Sequence, residues 1–89
     1  MIVDPELYGA TLAKWGEEAQ YDQAIEECAE LIASLKHFKR GKIGTKEVIS
    51  ELADVTLMVG QLTWMLGADK LDLAINEKIL KLKKLLELS

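Results

Sequence analysis

Four carboxylates stand at matching intervals on two stretches of the chain: Glu27 and Glu30 in Glu-Cys-Ala-Glu, and Glu51 and Asp54 in Glu-Leu-Ala-Asp. On a helix, a spacing of three puts both members of a pair on one face. If the two stretches form consecutive antiparallel helices, the pairs meet across one groove, where each negative charge raises the pKa of the next. A hard, oxygen-seeking cation resolves that conflict. Magnesium fits best, because it takes a few carboxylates, keeps waters and completes its shell with substrate phosphate oxygens; manganese is the expected substitute. Singly, either pair reads as an ordinary solvated helix face. Together they differ from one, since both pairs border an apolar stripe and neither has a lysine one turn away on the same arc. A di-iron carboxylate bundle is excluded by its need for Glu-x-x-His, because His37 is the only histidine and Ser34 precedes it by three.

The elements that must position these groups read as helices. Asp4-Pro5-Glu6 is a helix start, with an acceptor at the cap, proline in the first turn and an acid at the positive end of the dipole. A first helix is predicted over Pro5 to Trp15, interrupted by Gly16, and a second over Glu17 to Arg40, ended by the glycine-bounded Gly41-Lys42-Ile43-Gly44. Thr45 is read as the cap of a third helix from Lys46 to Leu66, stopped by Gly67. Asp69 or Asp72 then starts a fourth that ends near Glu87. On the second helix Gln20, Gln23, Glu27, Glu30 and Ser34 share a polar arc beside the apolar Ala24, Cys28, Leu31, Leu35 and Phe38. The third helix is apolar on two sides. Val48, Leu52, Val55, Val59, Leu62 and Leu66 form one stripe, and Ile49, Ala53, Leu57, Gly60 and Trp64 form a second, read as a subunit interface.

With 89 residues, 49% of them hydrophobic and only 6% aromatic, the chain is expected to be a single all-α domain over residues 1–89, a helical bundle completed by oligomerisation as a homodimer or homotetramer. The net charge of −4 argues against a nucleic-acid partner. No apolar run approaches the ~20 residues of a membrane span and no leader pattern opens the chain, so no membrane partner and a cytoplasmic location are expected. Cys28, the lone cysteine, reads as a small buried side chain.

The segments Trp15-Gly16-Glu17-Glu18-Ala19-Gln20, Glu26-Glu27-Cys28-Ala29-Glu30-Leu31 and Glu51-Leu52-Ala53-Asp54-Val55 resemble the MazG-like all-α nucleoside triphosphate pyrophosphohydrolases, whose signature is Glu-x-x-Glu followed on the next helix by Glu-x-x-Asp. The likeness runs from Trp15 to Lys84 and is nearest to the short, phage-type single-domain members. It implies magnesium-dependent hydrolysis of a nucleoside triphosphate to monophosphate and pyrophosphate, with Glu27, Glu30, Glu51 and Asp54 as catalytic metal ligands, one of which could instead orient the attacking water.

The substrate-binding candidates are Gln20 and Gln23, whose amides lie on the arc of Glu27 and can read base or sugar, and Trp15, which can stack on the base. Asn76 and Lys78 on the last helix resemble the Asn and Lys that some family members direct at phosphates. Lys36, Lys39, Arg40 and Lys42 read as complements to the negative end of the second helix. Two other readings are carried forward: a non-enzymatic helical oligomerisation or protein-interaction module, and a hydrolase of the same fold acting on another diphosphate metabolite.

Overall fold

The computed structural model describes residues 4–88, so residues 1–3 and 89 of the expected domain lie outside the described part. It is all-helical: α1 (Pro5–Trp15), α2 (Glu17–Lys39), α3 (Thr45–Leu66) and α4 (Ala68–Leu85). The boundaries fall where local chemistry puts them. Asp4 caps α1 by accepting from the Leu7 N–H at 3.1 Å, with Pro5 at the first helical position. Gly16, at φ 85°, breaks α1 from α2 in a conformation that a side chain would resist. The α2–α3 turn begins with Gly41 at φ 72°, where the Gly41 and Lys42 amides donate to Phe38 and His37 carbonyls at 3.0 Å and so satisfy the open end of α2.

Two predicted starts shift. Thr45 is the first helical residue and not the cap; Gly44 takes that position, and the Glu47 carboxylate folds back to accept its N–H at 2.9 Å. Likewise α4 starts at Ala68, ahead of both aspartates, because Gly67 at φ 125° makes the corner unaided.

The antiparallel α2–α3 hairpin is the main packing unit, and α1 folds back across it. Tyr8 of α1 is the pivot, only 2% exposed, with its ring end seated on Gly60 of α3. Gln61 clasps the same helices together: its Nε2 donates to the Tyr8 carbonyl at 3.1 Å, and its Oε1 accepts the Thr11 hydroxyl at 2.7 Å. One turn on, Trp64 covers Gly9. The expected second stripe of α3 is therefore divided. Gly60 and Trp64 serve the intrachain contact with α1, while Ile49, Ala53 and Leu57 remain exposed.

Little else is covered. Cys28 is exposed, contrary to its expected burial, because α3 is the one helix packed extensively along α2, and α4 does not return to cover the far side. In α4 the half-buried residues are Ala68, Leu71 and Ala74, all in its first two turns; beyond Ala74 every described side chain is exposed. The accessible surface is 6900 Å², against roughly 5,200 Å² for a compact chain of this mass. The radius of gyration is 15.8 Å, where about 12 Å would be ordinary for this length.

The Tyr8–Gly60 seat yields a stability prediction. A Cβ at position 60 would overlap the phenol, lying 2.8 Å from Cζ and closer still to the hydroxyl oxygen. Overpacking by Gly60→Ala is expected to destabilise by about 1–3 kcal/mol, outweighing the ~1 kcal/mol gained in helix propensity. Tyr8→Phe removes a buried hydroxyl that has no hydrogen-bond partner and should be neutral or stabilising. Urea denaturation of both variants checks the pair; a Gly60→Ala protein as stable as the wild type would contradict this packing.

Candidate metal centre

The register of the α2–α3 hairpin pairs the carboxylates one to one. Asp54 is the carboxylate of α3 whose charge acts on Glu27, and Glu51 the one that acts most strongly on Glu30. Equal spacing on antiparallel helices produces this: a step of three up one helix meets a step of three down the other. One oxygen each from Glu27, Glu51 and Asp54 lies within 4.8 Å of the others. Two ligands on one magnesium at ~2.1 Å each can be at most ~4.2 Å apart, so a small side-chain closure turns the trio into a chelating set. Glu30 stands outside this trio, on the Glu51 side, as its fourth carboxylate.

The electrostatics are those of crowded carboxylates. The Glu27 carboxyl is raised above its ordinary value, first by desolvation and then by the negative charge of Glu30, with Asp54 adding to it; the Gln23 hydrogen bond opposes the rise. Glu30 is raised in the same way, by desolvation and then by Glu51, Glu26 and Asp54. The charges that raise these two groups are those of other carboxylates. Oε2 of Glu27 and Oε2 of Glu51 are both shielded from solvent without a hydrogen-bond partner. Anionic oxygens are rarely left so, and an all-oxygen donor set with two orphaned lone-pair groups fits a hard divalent cation.

Beside the carboxylates lies a cleft of about 530 Å³ between α1, α2 and α3. Leu7, Tyr8, Trp15, Leu57 and Met58 give it apolar and aromatic walls, and Gln20, Gln23 and Gln61 its amides. Gln23 joins the two features, for it lines the cleft while its Nε2 donates to Glu27 Oε1 at 2.8 Å. Gln20 is buried, its Nε2 directed at the Thr11 and Gly16 carbonyls at 3.3 and 3.4 Å, so it braces the α1–α2 corner as well as lining the cleft. Trp15 is 60% exposed at the mouth, with the Lys14 ammonium 5.1 Å from its ring centre.

The two other candidates are not gathered in. Asn76 and Lys78 lie on the exposed part of α4, a helix that packs against α3 and makes no packing contact with α2. Conversely, Leu7, Tyr8, Thr11, Leu57, Met58 and Gln61 line the cleft without having been singled out as site residues. The signal for Tyr8 and Thr11 was weak, because α1 is short and its packing angle depends on the Gly16 turn.

Comparison with protein-family models, with curated proteins and with solved structures returns no match.

The raised carboxyls set a pH dependence whose sign is opposite to that of a salt-bridged acid. The folded protein binds protons more readily than the unfolded chain at Glu27 and Glu30, so folding is relatively favoured when they are protonated. Their penalty is fully present above the raised values and is relieved as pH falls toward the ordinary 4.5. In metal-free buffer the contribution of these groups should raise the melting temperature on mild acidification, and Glu30→Gln should flatten that rise. A pH profile unchanged by Glu30→Gln would contradict the crowding.

Proposed function

We propose that this chain is a magnesium-dependent nucleoside triphosphate pyrophosphohydrolase of the MazG-like kind, active as a homo-oligomer on the nucleotide pool of the cytoplasm. The observation that carries the reading is the gathering of Glu27, Glu51 and Asp54 within 4.8 Å of one another across the α2–α3 hairpin, with Glu30 beside them. The motif resemblance of these same residues supports it, as does a cleft within the ~300–1,000 Å³ of small-molecule sites.

In this reading Glu27, Glu51 and Asp54 hold the cation, with Glu30 completing the set or orienting the attacking water. Bound magnesium would supply neutralisation of phosphate charge and a water of lowered pKa. No protein nucleophile is needed; one water is consumed per triphosphate, and one monophosphate and one pyrophosphate leave. The cleft takes base and sugar, with Trp15 available for stacking. The Gln20 amide is held by its two carbonyl partners, so its Oε1 is the atom left to accept from the ligand. Gln23 links the cleft to the carboxylates, so a base seated there leaves its phosphates directed toward the metal centre.

The exposed apolar faces favour a second reading, a helical assembly module without catalysis. The two part in one assay: pyrophosphate release from ribo- and deoxynucleoside triphosphates, with magnesium and with chelator. Magnesium-dependent release that falls at least about 100-fold in Glu51→Gln is expected. Silence across the panel from folded protein would overturn the enzyme reading.

A further inference from the structure

The hydrogen-bond network at the α1 end of the cleft spends its hydrogens on the protein itself. Gln20 is buried, and its Nε2 is directed at two carbonyl oxygens, those of Thr11 and Gly16. Two carbonyls can only be met by an amide nitrogen, so the orientation of this side chain is fixed and Oε1 is its free end. The Thr11 hydroxyl has one hydrogen, within reach of Gln61 Oε1 at 2.7 Å and of the Tyr8 carbonyl at 3.0 Å, so its oxygen is left to accept. Gln61 is occupied at both ends, by that hydroxyl and by the Tyr8 carbonyl. One turn along α2, Gln23 is oriented by the Glu27 carboxylate, which takes an Nε2 hydrogen and leaves Oε1 open.

What the cleft offers a ligand is therefore weighted toward acceptors. The oxygens of Gln20, Gln23 and Thr11 stand against the second amide hydrogens of Gln23 and Gln61 and the indole N–H of Trp15 at the mouth. Among the described residues no lysine or arginine lines the cleft, and the carboxylates stand beside it. Nucleobases differ in how they meet such a wall. Adenine and cytosine carry an exocyclic amino group, two hydrogens on one nitrogen, which can pair with Gln20 Oε1 and a neighbouring acceptor. Hypoxanthine and uracil are the same rings with that amino group replaced by a carbonyl oxygen. Their edge N–H lies beside it, so pairing the N–H brings the carbonyl against the remaining acceptors and leaves it unpaired.

We infer that this cleft selects the amino-bearing bases adenine and cytosine over their deaminated counterparts, hypoxanthine and uracil, with Gln20 Oε1 as the acceptor that makes the distinction. The selection rests on the nucleotide reading of the cleft given above. It directs the chain to ordinary amino-bearing nucleotides and away from the products of their deamination.

Calorimetric titration with nucleoside monophosphates in magnesium tests the selection in matched pairs, cytidine against uridine monophosphate and adenosine against inosine monophosphate. The amino-bearing member of each pair should bind at least about tenfold more tightly, and Gln20→Leu should bring each pair to within about twofold. The wild-type comparison stands without the variant, so a Gln20→Leu chain that loses its helices by circular dichroism leaves the test intact. Equal affinities within each pair, tighter binding of the uridine or inosine member, no binding of any of the four, or a preference that persists in folded Gln20→Leu would overturn the inference. Pyrophosphate release from the corresponding triphosphates reports on the reaction separately. Selective binding without release overturns the enzyme reading and leaves the selection standing, whereas release at equal rates from both members of a pair does the reverse.

Discussion

Mutual repulsion among Glu27, Glu30, Glu51 and Asp54 across the α2–α3 hairpin is the constraint around which the molecule is arranged. It is generated by the same packing that gives the chain most of its tertiary contact, so the hairpin cannot close without bringing the four charges together. Two of their oxygens are shielded from water and unpartnered, and the charges that raise Glu27 and Glu30 are those of other carboxylates. Such a cluster opposes folding of the metal-free chain. A bound cation would offset that cost, because its binding free energy would add to that of folding. The short α1, clasped by Tyr8, Thr11 and Gln61, adds the third wall of the cleft beside it.

The carboxylate pairing was legible because it rests on arithmetic. Identical spacings on consecutive helices, joined by a turn with Gly41, leave an antiparallel hairpin free to align them. All four helices were legible for similar reasons, from Asp4 and Pro5 at one end to Gly16 and Gly67 at the corners. What escaped depended on tertiary direction. Whether Trp64 and Gly60 face α1 or another chain is decided by the angle at which α1 leaves the Gly16 turn, and periodicity carries no information on that angle. Cys28 was misread because an apolar stripe shows which face should be covered, not whether a helix arrives to cover it. Asn76 and Lys78 were placed by resemblance alone, and within one chain α4 does not carry them to the carboxylates.

The open surface and the crowded charges belong to one account. A chain this short that spends two helices on a hairpin and a third on a cleft wall has only α4 left to complete a core. Packed against α3 by its first turns alone, α4 leaves the remainder of its apolar seam exposed.

The central claim is that the four carboxylates form a metal site, and direct cation binding tests it with least inference. Free manganese measured by electron paramagnetic resonance, titrated with protein and competed with magnesium, reports occupancy without requiring a substrate. Saturable binding displaced by magnesium, lost in Glu51→Gln and in Asp54→Asn but retained in Glu6→Gln at the remote start of α1, is the result expected. Equal binding by all four proteins, or none by the wild type, would contradict it.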